Sequence, residues 1–71
     1  MKFRVTEKII KDGKVIRERR YEADHVADTQ RQMENWRKEF AAKRLQATID
    51  GRGIEFVGVE QEFEILPVEE G

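Results

Sequence analysis

The chain has 71 residues, 41% of them charged, with a formal net charge of −1 and no cysteine. That length makes one small domain with a thin stability margin, and the absence of cysteine excludes disulfides and thiolate metal sites. His25 is the only histidine, and no apolar run approaches the roughly 18 residues of a membrane span, so a cytoplasmic protein without membrane contact is expected.

Charge is distributed unevenly. Residues 1–20 hold eight Lys/Arg against three Asp/Glu, whereas residues 46–71 hold one Arg against seven Asp/Glu. Apolar residues recur through both ends, which predicts a folded sheet that neutralises itself rather than two disordered tails.

Residues 2–10 and 14–22 read as two strands around Asp12-Gly13, a strong hairpin signal. A two-residue turn would place Val5 opposite Arg20 and Phe3 opposite Glu22. A three-residue turn, with Gly13 left-handed in a bulge, pairs Ile9 with Val15, Glu7 with Arg17 and Phe3 with Tyr21. The second register is expected, because it gives one apolar face (Phe3, Val5, Ile9, Val15, Tyr21) and a cross-strand ion pair. Lys2, Arg4, Lys8, Glu18 and Arg20 then form the opposite face.

Asp24 can cap a helix beginning at His25. Val26, Met33, Trp36 and Phe40 mark its apolar face, and Arg31, Glu34, Arg37, Lys38 and Glu39 its solvated flank. Leu45 and Ile49 lie about 180° and 220° around the helix from Trp36. They are expected to be tucked in by a loop, with the helix stopping near residues 44–47 and Gly51 and Gly53 as breakers. The other reading is a longer helix whose second stripe, Ala41, Leu45 and Ile49, packs on a partner.

The last strand changes phase. Ile54 and Phe56 occupy even positions and Val59, Phe63 and Ile65 odd ones, which predicts one extra residue at Val57–Gly58. Pro67 is expected to end the strand, with a frayed acidic tail from about residue 67. The whole is read as a single α+β domain of order ββαβ. Its three-stranded sheet has order 2-1-3, with one long helix on one face.

Glu60, Glu62 and Glu64 share one strand face at about 7 Å spacing. They suggest a cation ladder or a docking patch, but a flat strand does not wrap oxygens around an ion. Cross-strand neutralisation by Lys2, Arg4 and Lys8 is expected instead, and no metal or cofactor is nominated. No catalytic residue is nominated either, since serine is absent and no base stands at a fixed spacing from Thr6, Thr29, Thr48 or Tyr21. Arg17, Arg19, Arg20 and Arg31 are candidate phosphate contacts, weighed against a chain pI of about 5.8 and the absence of an aromatic platform.

The element order is similar to that of several small phage-encoded proteins that bind and inhibit host machinery, a likeness of fold and size that transfers no residue. The leading expectation is a non-enzymatic binding or regulatory protein. It would dock on a protein partner through Glu60, Glu62 and Glu64 or through Leu45 and Ile49. Nucleic-acid binding and a structural homodimer through the helix or a sheet edge are the alternatives.

Overall fold

The computed structural model describes residues 1–69. Strands β1 (Lys2–Lys11) and β2 (Lys14–Ala23) form a hairpin, helix α1 (Val26–Ile49) crosses back over the sheet, and β3 (Val59–Val68) pairs with β1. The sheet order is β2-β1-β3, with both neighbours antiparallel to the central strand. The α+β architecture and the strand order read from the sequence are therefore present.

The hairpin register differs from expectation. Asp12 and Gly13 both have positive φ, 52° and 84°, as a two-residue turn of the primed type requires. Lys11 pairs with Lys14 and Ile10 with Val15, but Ile9 then pairs with Arg17, which leaves Ile16 as a bulge. Glu7 accordingly faces Arg19 rather than Arg17, and Phe3 faces Ala23 rather than Tyr21. Electrostatics explains the choice. The expected register would have set Arg4 against Arg20, whereas the bulged one sets Arg4 against Glu22, Glu7 against Arg19 and Lys8 against Glu18. Val15 pairs with Ile10 and so leaves the apolar face; it is exposed.

The helix is longer than expected and its stripe is shifted. Its N-cap is His25, with extended backbone and no side-chain cap, so Asp24 lies outside the helix. Val26 is exposed, whereas Thr29, Trp36 and Ala47 are buried. At 100° per residue, Thr29, Trp36 and Ala47 fall within about 20° of one another, and Phe40 and Met33 lie beside them. The last turn holds no base to complement the dipole, because Lys43 and Arg44 lie further up the helix.

A Schellman closure sets the C-terminus. Gly51, at φ 76°, donates to the Thr48 carbonyl at 3.2 Å, and Arg52 donates to the Ala47 carbonyl at 2.7 Å. The chain then turns through a short 3-10 helix, Gly53–Phe56, which seats Phe56 edge-on against Phe40 with ring centroids 5.7 Å apart. The phase change near Val57 is therefore a 3-10 turn followed by a new strand, not a bulge inside one strand. Gly58, at φ 75°, joins the two, and its carbonyl accepts from the Asp12 amide at 3.1 Å. That bond ties the start of β3 to the hairpin turn. β3 runs on through Pro67 to Val68, since an edge strand tolerates a missing N–H.

The sheet has one covered face, and the apolar core is small: among the described residues Val5, Trp36 and Ala47 are the buried hydrophobic ones. The Cα envelope measures 48 × 22 × 10 Å, with a radius of gyration of 14.2 Å. A typical domain of this length would have about 11 Å. The long dimension exceeds both the roughly 36 Å of a 24-residue helix and the roughly 33 Å of a ten-residue strand, so helix and sheet are staggered. From Ala41 to Ile49 only Ala47 is buried.

Candidate docking surfaces

A polar row crosses the sheet under the middle of α1. Register puts Glu7 of β1 between Arg19 of β2 and Phe63 of β3, with Gln61 of β3 one step along on the same face. The Glu7 side chain is 1% exposed. Arg19 Nε donates to Glu7 Oε1, and Arg19 Nη2 donates to Glu7 Oε2 at 3.2 Å. Gln61 Nε2 donates to the same Oε2 at 2.7 Å and to the Trp36 carbonyl at 3.1 Å. Both carboxylate oxygens are thus satisfied, as burial demands. Arg19 also reaches Glu39 at 3.3 Å and stacks its guanidinium 4.7 Å from the Trp36 ring centroid. The Glu7 hydrogen bonds hold the Arg19 guanidinium even more firmly protonated than usual. The Glu39 carboxyl is pushed below its ordinary range, first by its hydrogen bond to Lys43 at 3.2 Å and then by Arg19.

Beside this row lies a groove of about 300 Å³. Its apolar walls are Ile9 and Ile16 of the hairpin, Phe40 of α1, Phe56 of the 3-10 turn and Val59. Lys11, Arg17 and Lys43 stand around it. Among the described residues, Lys11 and Arg17 take part in no ion pair.

The outer face of the sheet carries the acidic row. Glu60, Glu62 and Glu64 do share that face, and all three are exposed. Their neighbours on β1 are Ile10, Lys8 and Thr6. Of the three bases expected to neutralise them, Lys8 alone lies opposite one of these glutamates, Glu62, and among the described residues no ion pair joins the two. Lys2 lies opposite Val68, Arg4 opposite Leu66, and Arg4 bonds Glu22 at 2.9 Å on the other side. Among the described residues, none of the three carboxylates takes part in an ion pair or hydrogen bond, and no group of acids and His25 converges as a metal site would require.

Leu45 and Ile49 stay helical and point away from the sheet, 62% and 69% exposed. No loop covers them. This is the longer-helix alternative, with Ala41 exposed on the same side.

The candidate phosphate contacts are not brought together. Arg17 and Arg19 face the helix side of β2, while Arg20 faces the other way. Arg19 is engaged by Glu7, Arg20 by Glu18 at 3.3 Å, and Arg31 by Asp28 at 3.3 Å.

Sequence reading missed Gln61, the Arg19 pairing and the groove. One signal was available. Glu7 and Gln61 both interrupt an otherwise apolar alternation, and two polar residues on a covered face imply that each has a partner there. Ile16 and Phe56 could not be placed without the bulge and the 3-10 turn.

No helix among the described residues is long and apolar enough to cross a membrane. Set against known proteins, the chain matches no family model, no curated protein and no solved structure.

Proposed function

We propose that this protein is a non-enzymatic binding module that docks on a protein partner through the outward stripe of α1, Ala41, Leu45 and Ile49. The supporting observation is the exposure of Leu45 and Ile49 on one side of a helix whose end is fixed by a Schellman closure. Fully burying a side chain of this kind is worth about 1.5–3 kcal/mol, so the stripe rewards a cover that the described residues do not supply. The accessible area points the same way: it is 5240 Å², against about 4,600 Å² for a compact monomer of this mass. Size and element order suggest a modulator of the kind phages and mobile elements encode. A homodimer through the same stripe is the second reading, since the excess area approaches the roughly 800 Å² per partner of a standard interface.

Affinity capture from a lysate of the encoding organism tests this with the wild type and Leu45→Glu/Ile49→Glu. A stoichiometric protein held by the wild type and lost by the double variant, at unchanged melting temperature, is expected. Capture of nothing, or capture indifferent to the substitutions, overturns the reading. Light scattering at high micromolar concentration decides the homodimer, and a gel shift at low ionic strength is expected to show no retardation of nucleic acid.

A further inference from the structure

We infer that the groove between the free edge of β2 and the underside of α1 binds an extended peptide segment carrying a large apolar side chain and a carboxylate two residues apart. The inference rests on the docking reading above but assigns a second surface and the chemistry of what fills it.

Three observations converge on that segment. First, the groove holds uncompensated positive charge. Each acid in its lining is already engaged: Glu7 by Arg19 and Gln61, Glu39 by Arg19 and Lys43, and Glu55 by Arg52 at 3.1 Å. Lys11 and Arg17 remain without an ion pair among the described residues. The groove therefore lacks a carboxylate, not a cation.

Second, its walls are apolar and concave. Ile9, Ile16, Phe40 and Phe56 surround about 300 Å³, at the small end of ligand pockets. That volume suits one or two large apolar side chains and is too small for a folded partner. Ile16 is 60% exposed at the bulge, so an anchor entering there would cover it.

Third, the groove borders a strand edge. Among the described residues β2 pairs with β1 alone, and its other edge faces no strand. An extended segment adding to that edge gains main-chain hydrogen bonds, and side-chain pockets supply its specificity. Residues two apart on such a strand share a face at about 7 Å spacing, so one side chain can enter the apolar groove while the next on that face meets Arg17. A basic segment is disfavoured by the same uncompensated cations.

The test is an amide and methyl NMR titration of the full chain with acetyl-Thr-Phe-Thr-Glu-Thr-amide. Saturable shifts are expected along β2 and at Ile9, Ile16, Phe40 and Phe56. Lys for Glu or Ala for Phe in the peptide, and Lys11→Glu/Arg17→Glu in the protein, should each weaken binding by about tenfold or more. Ile16→Asn, at an exposed position, gives a second variant should the charge reversal disturb folding, and it should also weaken binding. No saturable shift, or equal binding of the Lys peptide, overturns the proposal. Shifts centred on Leu45 and Ile49 overturn the groove while leaving the helix-stripe reading standing.

Discussion

Glu7 and Arg19 face each other across β1 and β2 beneath α1, and the carboxylate is sealed from solvent with both oxygens bonded. The pair lies in the middle of a domain whose apolar core is small. Its energetic importance comes from what its disruption would leave behind. An unpaired buried carboxylate is costly, even where the intact pair adds little over an apolar substitute.

Arg19→Met is therefore expected to destabilise the fold by about 2–4 kcal/mol. This is somewhat below the full cost of breaking a buried pair, because the Arg19 side chain is 26% exposed. The double variant Glu7→Leu/Arg19→Met should recover part of that loss. Urea denaturation of the four proteins in the cycle checks it, and a double variant less stable than Arg19→Met would refute it.

Trp36→Ala should cost about 3–5 kcal/mol. Trp36 is one of three buried hydrophobic residues among those described, and its ring carries the Arg19 stack. A domain this small has little margin, so loss of the cooperative thermal transition is the expected outcome. A native-like melting curve would show that Trp36 is not part of the core.

Gly58 separates two kinds of glycine. Its φ of 75° disfavours any side chain, and an added Cβ would stand 2.5 Å from Asp12 Oδ1. Gly58→Ala should destabilise by about 1–2 kcal/mol. Gly53 has no such φ, and its added Cβ would meet Thr48 Oγ1 at an ordinary 3.6 Å, so Gly53→Ala should be close to neutral. Chemical denaturation midpoints of the two variants measure the contrast.

Acid should weaken the fold partly through Glu39. Its carboxyl pKa is lowered in the folded state by Lys43 and Arg19. A depressed carboxylate contributes stability above the unfolded value of about 4.3 and loses it as pH falls through the folded one. Glu39→Gln should thus reduce the urea midpoint at pH 7 and make little difference near pH 2. An equal offset at both pH values would show that the ionised carboxylate is not the source.

Several features were legible in the residues themselves. Alternation in residues 2–10 and 14–22 around Asp12-Gly13 marks a hairpin, and the spacing of Met33, Trp36 and Phe40 marks one helical face. Chain order then leaves few ways to add the last strand, and order 2-1-3 follows. Gly51 also carried the helix end, since a glycine at C′ fixes a cap at Asp50. A helix ending near residues 44–47 would leave that glycine outside any cap, whereas the helix runs to Ile49.

The hairpin register was not legible from apolar pattern alone. Choosing it required weighing Arg4 against Glu22 and Glu7 against Arg19 together with a bulge at Ile16, which strand alternation gives no reason to insert. The acidic row shows the same limit. Its three glutamates lie on one face because strands alternate. β3's offset sets Glu60 opposite Ile10 and Glu64 opposite Thr6, and only Glu62 opposite one of the three candidate bases, Lys8.

By itself the sequence determined the two hairpin strands, the long helix and the last strand, the shared face of Glu60, Glu62 and Glu64, and the angle of Leu45 and Ile49 away from Trp36 if the helix continues. Those are local consequences of backbone periodicity. Only the tertiary structure decided which charges meet, how far the helix runs past its cover, and that a groove with unpaired Lys11 and Arg17 opens beside β2. Those outcomes depend on register and stagger between elements, which are set by side chains far apart in the chain.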